Sequence, residues 1–268
     1  MIDRGLSERR ALAVARMSAS AFRYEPRPDR NVELREQIHA LAIRHKRYGV
    51  GMIHLKLRQA GWPVNYKRVE RLYQQAKLQV RRRKRKKVPV GDRQPLFRPT
   101  AANQVWSMDF VFDRTAEGRV LKCLTIVDDA THEAVAVEVE RAISGNGVVR
   151  VLDRLALHRG LPQVIRSDNG KEFCGKSMVK WGHARGVALR LIEPGKPNQN
   201  AYIESFNGRL RDECLNEHWF QNVLHARAVI ETWRREYNEE RPKKALGGLT
   251  PAAYAKRMAE IGYPNLGF

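Results

Sequence analysis

Apolar and polar positions alternate with a period of two in the middle of the chain, which is the spacing of a β-strand with two distinct faces. In the clearest stretch, Trp106 and Met108 fall on one side, and Ser107 and Asp109 fall on the other. Similar runs predict five strands: 105–112, 119–127, 133–139, 163–167 and 187–192. The helices predicted among them are 145–159, 175–185 and a helix around Glu204. A three-strand meander followed by alternating helices and strands predicts an α/β domain.

A helical spacing replaces this alternation in the first third of the chain. The helices predicted there are 32–44, 51–60 and 66–76. Asn65 can cap the third helix. The basic residues of that helix are Lys67, Arg68 and Arg71. Three short helices with a basic last member match a winged-helix or helix-turn-helix unit. Two shorter helices precede them, with Ser7 and Ser18 as candidate N-caps, and form either a second such unit or a plain helical hairpin.

Three carboxylates occupy positions in the sequence that suggest a functional role. Asp109 lies within an otherwise apolar strand, although Asp is a poor strand former and is rarely buried unless it is paired or bound to metal. Asp168 ends an apolar run and is followed by turn residues, so it is expected at the rim of the sheet. Glu204 follows on a predicted helix, with 35 residues between it and Asp168. The helical spacing predicts an open face with Glu204, Asn207, Gly208 and Arg211, and a buried face with Ile203, Phe206, Leu210 and Leu215. Because carboxylate oxygens suit a hard cation, the three carboxylates form a candidate metal-binding triad.

Other side chains are weaker candidates for this chemistry. Asp128 and Asp129 follow a strand at a turn, where Asp is ordinary turn chemistry. Glu172 and Glu213 are expected to be solvated. No cysteine accompanies the histidines of the first hundred residues, so a His/Cys zinc finger is excluded there.

The positive charge is concentrated at one end of the chain. Residues 1–100 hold 26 Lys/Arg against 8 Asp/Glu, whereas residues 101–268 hold 24 against 21. Within the first part, residues 81–87 are seven consecutive basic residues, which repel one another and typically contact phosphates. We therefore expect the N-terminal part to bind nucleic acid and the remainder to have an ordinary enzyme surface.

Four stretches of sequence resemble a known family: W-S-M-D-F, R-S-D-N-G, I-E-S-F-N-G-R-L-R-D-E-C-L-N and L-G-G-L-T-P. In combination they are similar to the OrfB-type transposases of bacterial insertion sequences, over roughly residues 5–260. That family has a retroviral-integrase-like core with D, D, 35, E carboxylates. The resemblance implies a ribonuclease-H-like core with an N-terminal helical, helix-turn-helix-like DNA-binding region. The periodic pattern by itself is equally compatible with another α/β domain.

The sequence departs from the family at two places. Where the family usually reads Y-G-Y-R-R-I-H, this chain reads Y-G-V-G-M-I-H from Tyr48, so two arginines are missing. Where the family usually has R-P-H, this chain has Lys243 after Arg241 and Pro242.

The resemblance also implies roles for particular residues. Asp109, Asp168 and Glu204 would be both the catalytic residues and the ligands of Mg²⁺ or Mn²⁺, in a site of two ions with Asp109 bridging them. The expected reaction is metal-dependent cleavage and strand transfer at insertion-sequence ends. The expected DNA-binding residues are Lys67, Arg68, Arg71, Arg81, Arg82, Arg83, Lys84, Arg85, Lys86, Lys87, Asn207 and Arg211. On residue chemistry alone, Asn207 and Arg211 could equally hold the glutamate or pack against the core.

Partners and alternatives follow from the same reading. The expected partners are double-stranded DNA (element ends and target), further copies of the chain on DNA, and an upstream OrfA product, fused or separate. A ribonuclease-H-like nuclease that never joins strands is one alternative, and a non-catalytic DNA-binding protein is another. The absence of a long apolar run and the three widely spaced cysteines suit a cytoplasmic, nucleoid-associated protein without a membrane span.

The chain is expected to contain four parts. These are a helical DNA-binding region (1–80), a basic linker (81–100), a ribonuclease-H-like catalytic core (101–220) and a C-terminal helical extension (221–268). Pro and Gly residues after the basic run favour the linker assignment.

Overall fold

A five-stranded mixed sheet lies at the centre of the computed structural model, which describes Gly5 and residues 7–25, 28–81, 99–193 and 200–261. The strands are β1 (Val105–Arg114), β2 (Val120–Asp128), β3 (Ala134–Glu140), β4 (Val164–Ser167) and β5 (Ala188–Leu191). Their order in the sheet is β3-β2-β1-β4-β5. The first three strands pair antiparallel, whereas β4 and β5 run parallel to β1. All five strands of the sequence prediction are confirmed.

Helices cover both faces of this sheet. The helices on one side are α6 (Gly145–His158), α7 (Lys171–Cys174) and α8 (Lys176–Arg185). The helices on the other side are α9 (Ala201–Glu213) and α10 (Val223–Glu239). A last helix, α11 (Pro251–Ile261), packs on α10. The helix predicted over 175–185 is preceded by the separate short α7, because the chain is extended at Gly175 between them.

The two faces of β1 serve two different cores, as its alternating pattern predicts. Trp106 and Met108 are fully buried in the apolar cluster that contains α6 and α8. Val111 belongs to the opposite cluster, beneath α9 and α10. Because successive side chains point to opposite faces, Asp109 lies on the same face as Val111 and is directed toward α9.

The first part of the chain forms a helical unit of its own. Its helices are α1 (Glu8–Ala15), α2 (Ala19–Phe22), α3 (Val32–Arg44), α4 (Val50–Gln59) and α5 (Tyr66–Gln75). Helices α3, α4 and α5 share a separate core centred on fully buried Ile53 and Val69. Two of the three predicted N-caps are confirmed, since the side chains of Ser18 and Asn65 accept backbone N–H bonds. Ser7 makes no such bond, so that cap prediction is wrong.

The helical unit contacts the rest of the molecule at the α3–α4 corner, which we define as Arg44, Lys46, Arg47 and Lys56. Each of these side chains pairs with a carboxylate of α9, of the turn between α9 and α10, or of Glu240, which follows α10 directly. The pairs are Arg44–Glu240, Lys46–Glu217, Arg47–Asp212 and Lys56–Glu240. The division into four parts stays a prediction, and most of the linker falls outside the described residues.

Candidate active site

The side chain of Asp109 is half-buried in a cleft between β1 and α9. Its Oδ1 accepts the backbone N–H of Phe110 at 2.7 Å, and its Oδ2 accepts Nδ2 of Asn207 at 2.8 Å. The hydroxyl of Thr125, on the neighbouring strand, lies 3.0 Å from the carbonyl oxygen of Asp109 and 2.9 Å from Oδ1 of Asn207. A hydroxyl has one proton, so Thr125 donates to one of these oxygens at a time. Strand and helix thus fix the position of this carboxylate.

The sheet register places Asp168 beside Asp109. Val105 pairs with Val164 and Ser107 with Arg166 in the parallel ladder, and the same register continued by two residues brings Asp168 level with Asp109. Asp168 itself follows the last residue of β4, where its Oδ1 accepts the N–H of Gly170 at 2.9 Å. The carboxyl end of a parallel strand is where open α/β sheets expose their functional residues. The prediction that Asp168 lies at the rim of the sheet is confirmed.

Glu204 lies on α9, one turn before Asn207. Its side chain is exposed, whereas Ile203 and Phe206 on the opposite side of the helix are buried in the core. This orientation confirms the predicted buried and open faces of the helix. Glu204 therefore faces the cleft without the hydrogen bonds that fix Asp109.

The pKa of Asp109 is shifted by its burial and by the neighbouring carboxylates. Burial, together with the charges of Asp168 and Glu204, outweighs the opposing effects of the Phe110 N–H and the Asn207 amide, so the pKa of Asp109 is raised from 3.8 to about 6. Burial also raises the pKa of Glu204. Repulsion among like charges in a shared cleft explains the effect of Asp168 and Glu204 on Asp109. The structure thus brings the three predicted residues to one cleft.

The donor set of this cleft suits a hard divalent cation, because all three candidate ligands are carboxylates. The side chains are not assembled into a finished cage: in the part of the chain that the structure describes, no three Asp, Glu, His or Cys side chains converge closely enough to hold an ion. A cation would relieve the repulsion that raises the pKa of Asp109. The residues present therefore fit a metal site that binding itself would draw together.

Asp128 and Asp129 are structural, as the turn pattern predicts. Both carboxylates are fully buried. Asp128 accepts N–H bonds from Asn103 and Ala130 of neighbouring loops. Asp129 forms an ion pair with Arg166 at 2.8 Å. These contacts place both carboxylates in the buried turn at the end of β2, away from the Asn207 amide that holds Asp109.

The basic residues predicted to bind DNA lie in different settings. Lys67, Arg68 and Arg71 are exposed on α5, and Arg81 is exposed just after the helical unit. Arg82, Arg83, Lys84, Arg85, Lys86 and Lys87 lie outside the described residues. On α9, Asn207 holds Asp109, and Arg211 donates to the carbonyl oxygen of Phe112 at 2.7 Å. A role in DNA contact stays a prediction for all of them.

Two carboxylates that were expected to be solvated are paired instead. Glu213 makes a two-bond ion pair with Arg241, and each side chain is only 8% exposed. Glu172 pairs with Lys122, whose ammonium group also lies over the ring of Phe110. These predictions were wrong because both partners are distant in sequence and no local pattern connects them.

Comparisons with known proteins agree with this geometry. An integrase core domain matches residues 99–197, and a second integrase core domain matches residues 185–251. An HTH-like domain matches residues 29–86, which include α3, α4 and α5. The fold and the carboxylate-bearing cleft thus define an integrase-core protein with a helix-turn-helix-like unit at its N-terminal side.

Proteins of similar sequence show to which family of integrase-core proteins the chain belongs. The insertion element IS407 protein of Burkholderia multivorans is 48% identical, over 94% of this chain and 91% of its own length. The insertion element IS476 protein of Xanthomonas euvesicatoria is 49% identical, over 93% of this chain and 72% of its own. A protein of Escherichia coli named as the transposase of insertion sequence IS150 is 26% identical, over 91% of each chain. The chain belongs to the insertion-sequence transposase family with an integrase core, whose members are polynucleotidyl transferases.

A solved structure gives the fold independently. A chain of the simian T-cell lymphotropic virus intasome superposes with a TM-score of 0.57, over 87% of this chain and 76% of that chain, at 14% identity. At this identity the likeness shows the fold alone. It confirms the ribonuclease-H-like expectation. Among the described residues, the helices are all too short or too polar to cross a membrane.

Proposed function

We propose that this transposase cleaves and rejoins DNA at the ends of an insertion sequence, with Asp109, Asp168 and Glu204 as its catalytic carboxylates. The observation that carries the proposal is the shared cleft: the strand register brings Asp168 level with Asp109, Asn207 of α9 holds Asp109, and burial, with the charges of Asp168 and Glu204, raises the pKa of Asp109. Perturbed carboxylates gathered in a cleft are typical of catalytic sites. Membership of the insertion-sequence transposase family supports DNA as the substrate.

The same three residues would hold Mg²⁺ or Mn²⁺. When bound, such ions activate an attacking oxygen and stabilise a leaving oxygen in phosphodiester chemistry. An all-carboxylate donor set without a Cys or His ligand favours these hard ions over Zn²⁺. Asp109, whose two oxygens are already held by the Phe110 N–H and the Asn207 amide, would offer its remaining lone pairs to such ions.

The protein's own contribution is to orient these groups before DNA arrives. The Asn207 amide and the Phe110 N–H each hold one oxygen of Asp109, so its carboxylate plane is fixed while lone pairs remain free. Asn207 is therefore a positioning residue for Asp109. Arg211, one turn further along α9, offers its remaining N–H donors to the DNA backbone at the edge of the cleft.

Binding of duplex DNA is assigned to α5. The helix begins at a confirmed N-cap and presents Lys67, Arg68 and Arg71 to solvent, as expected of the second helix of a helix-turn-helix unit. The basic run of residues 81–87 would add contacts that do not depend on DNA sequence. Further copies of the chain, and an upstream OrfA product, would bring two element ends together.

A strand-transfer assay with labelled element ends tests this function. The purified chain, with Mg²⁺ and a supercoiled target, is expected to release the element end and join it to the target. Joined product distinguishes a transposase from a nuclease, which would yield cleaved ends alone. Cleavage that never leads to joining, with the OrfA product present or absent, would contradict strand transfer.

A further inference from the structure

A second pocket lies on the flank of α9, outside the cleft that contains Asp109; its lining is largely apolar, with several polar groups among the apolar side chains. It measures about 280 Å³ and includes Lys243, Tyr237, Tyr202, Ser205 and His132 in its wall. We call it the Lys243 pocket. Ser205 follows Glu204 directly in the sequence, so the pocket adjoins the helix turn that carries the candidate catalytic glutamate.

Lys243 is the unusual group in this wall. Its Nζ lies 2.5 Å from the hydroxyl of Tyr237, 3.4 Å from Nδ1 of His132 and 4.8 Å from the centre of the Tyr237 ring. Among the described residues, no carboxylate approaches this ammonium group within ion-pair distance. A largely buried ammonium group without a counter-ion is costly, because desolvation is not offset by an opposite charge.

The charged residues around Lys243 increase this cost, and they indicate that a ligand of the pocket would carry a negative charge. Burial, together with the positive charges of Arg241 and Arg209, lowers the pKa of Lys243 to about 7, although Glu213 acts in the opposite direction. The pocket is therefore suited to an anion. Tyr202 and Ser205 supply hydroxyl donors on the same wall, and the first turn of α9 contributes Ala201. Hydroxyls, an ammonium group and a helix start suit a phosphate.

We propose that the Lys243 pocket binds a backbone phosphate of the DNA strand that enters the catalytic cleft. This inference rests on the proposed function, since it takes the ligand to be the DNA handled at Glu204. The pocket holds one phosphate as a fixed point beside the cleft, and the strand is thereby oriented against the carboxylates. Phosphate contacts of this kind position DNA without reading its sequence.

A consequence for pH follows from the ammonium group. A bound phosphate raises the pKa of Lys243, so binding takes up a proton wherever free Lys243 is neutral. DNA affinity is therefore expected to fall as the pH rises above about 7, the pKa of Lys243 in the free protein. The other titratable or charged groups facing Lys243 are His132, Tyr202, Tyr237, Arg209, Arg241 and Glu213.

The experiment measures binding of the full chain to a labelled element end, without divalent metal, between about pH 7 and 9. This pH range begins at the ordinary pKa range of His and ends below that of Tyr. Lys243→Gln is expected to weaken binding about tenfold and to lower the slope of log affinity on log salt by about 0.9, the value of one phosphate contact. Lys243→Arg, whose charge does not titrate, should bind as well as the unmodified protein at pH 7. It should also lose the pH dependence. Lys244→Gln, at the exposed neighbouring residue, is the matched control and should change neither.

A methylphosphonate scan of the DNA identifies the bound phosphate itself. One neutralised phosphate should weaken binding by the unmodified protein yet leave binding by Lys243→Gln unchanged, because that variant no longer holds the phosphate. Equal sensitivity of both proteins at every phosphate would overturn the proposal. So would a pH dependence that persists in Lys243→Arg.

Free phosphate is the other source of the same chemistry. If inorganic phosphate raises the melting temperature of the unmodified protein but not of Lys243→Gln, while both bind DNA equally, the pocket takes free phosphate and the DNA proposal is wrong. All these readouts are binding or melting measurements made without metal. They consequently stay interpretable whether or not the chain transfers strands, and failure here is distinguishable from failure of the proposed function.

Discussion

The α3–α4 corner and α5 belong to the same small helical unit and are both basic, yet their basic side chains differ in whether they form ion pairs. At the corner, all four basic side chains pair with carboxylates of α9, of the turn between α9 and α10, or of Glu240 directly after α10. On α5, Lys67 and Arg71 are exposed and have no ion-pair partner among the described residues. The net charge of +18 in residues 1–100 is therefore divided between docking within the chain and a surface open to DNA.

This difference shows what a count of charges leaves out. Exposed ion pairs contribute about 0–1 kcal/mol each, so the corner orients the helical unit more than it stabilises it. Unpaired cations on α5 keep their full attraction for a polyanion, because no carboxylate neutralises them locally. We therefore expect α5, whose Lys67 and Arg71 are not paired within the described part of the chain, to bind DNA.

The largest expected effect concerns the buried pair beside the corner. Arg241 pairs with Glu213 at 2.7 and 2.8 Å, and its guanidinium lies 5.5 Å from the centre of the Tyr48 ring in the helical unit. Arg241→Ala leaves Glu213 buried and uncompensated, so it should lower the free energy of unfolding by about 3–5 kcal/mol. Chemical denaturation measures this decrease.

The control for this prediction is an exposed pair on α10. Arg235→Ala removes the partner of Glu231 but leaves Arg234 beside it, and its effect should be below about 1 kcal/mol. Similar decreases in Arg241→Ala and Arg235→Ala would show that burial of the pair does not matter. The double change Arg241→Met with Glu213→Leu should recover part of the stability, because no charge remains buried.

The next prediction tests the difference between the paired cations of the α3–α4 corner and the unpaired cations of α5. Replacing both Lys67 and Arg71 with Ala should weaken duplex binding and lower the slope of log affinity on log salt by about 0.9 for each phosphate that is no longer bound. The matched control replaces Lys46 and Arg47, which carry the same two charges but pair with Glu217 and Asp212. If affinity and slope fall equally in both double variants, long-range charge rather than the α5 surface determines binding.

A smaller effect is expected in the cleft, where like charges meet. The pKa of Asp109 is raised from 3.8 to about 6, so its ionised form opposes folding at higher pH. Asp109→Asn should therefore raise the stability of the metal-free protein above pH 6, by about 1 kcal/mol after allowance for solvent screening. The increase should disappear below about pH 4, where the carboxyl is protonated in both folded and unfolded chains.

Thermal melts with Mg²⁺ complete this prediction. Mg²⁺ should stabilise the unmodified protein by mass action on the folded state, and Asp109→Asn should lose this response. Equal stabilisation of the two proteins would show that the ion binds elsewhere. A variant that is less stable than the unmodified protein at pH 8 would show that the hydrogen bonds to Asp109 outweigh the repulsion.

The sequence predicts the elements well because their periods are local properties. The five strands, the helix-turn-helix-like unit and the two faces of α9 all follow from the spacing of apolar residues. The position of Asp168 at the rim follows from the turn that succeeds its strand. Each of these features depends on neighbours within a few residues, which a pattern can show.

Partners across the fold could not be predicted in this way. The burial of Glu213 depends on Arg241, and the pairing of Glu172 depends on Lys122, 50 residues away. The helix face of Asn207 was evident from its spacing with Glu204, but the strand opposite that face was not. Similarly, the surroundings of Lys243 come from α9, α10 and the β2–β3 turn, three separate parts of the chain.

Strand transfer by isosteric variants tests the central claim, that the three carboxylates of one cleft carry the chemistry. Asp109→Asn, Asp168→Asn and Glu204→Gln each remove a negative charge with little change in volume, so folding and DNA binding should persist. With labelled element ends and Mg²⁺, each variant should lose both cleavage and joining, whereas Asp113→Asn, on the same face of β1, should retain them. Strand transfer near the unmodified level in any of the three would contradict the assignment of that residue.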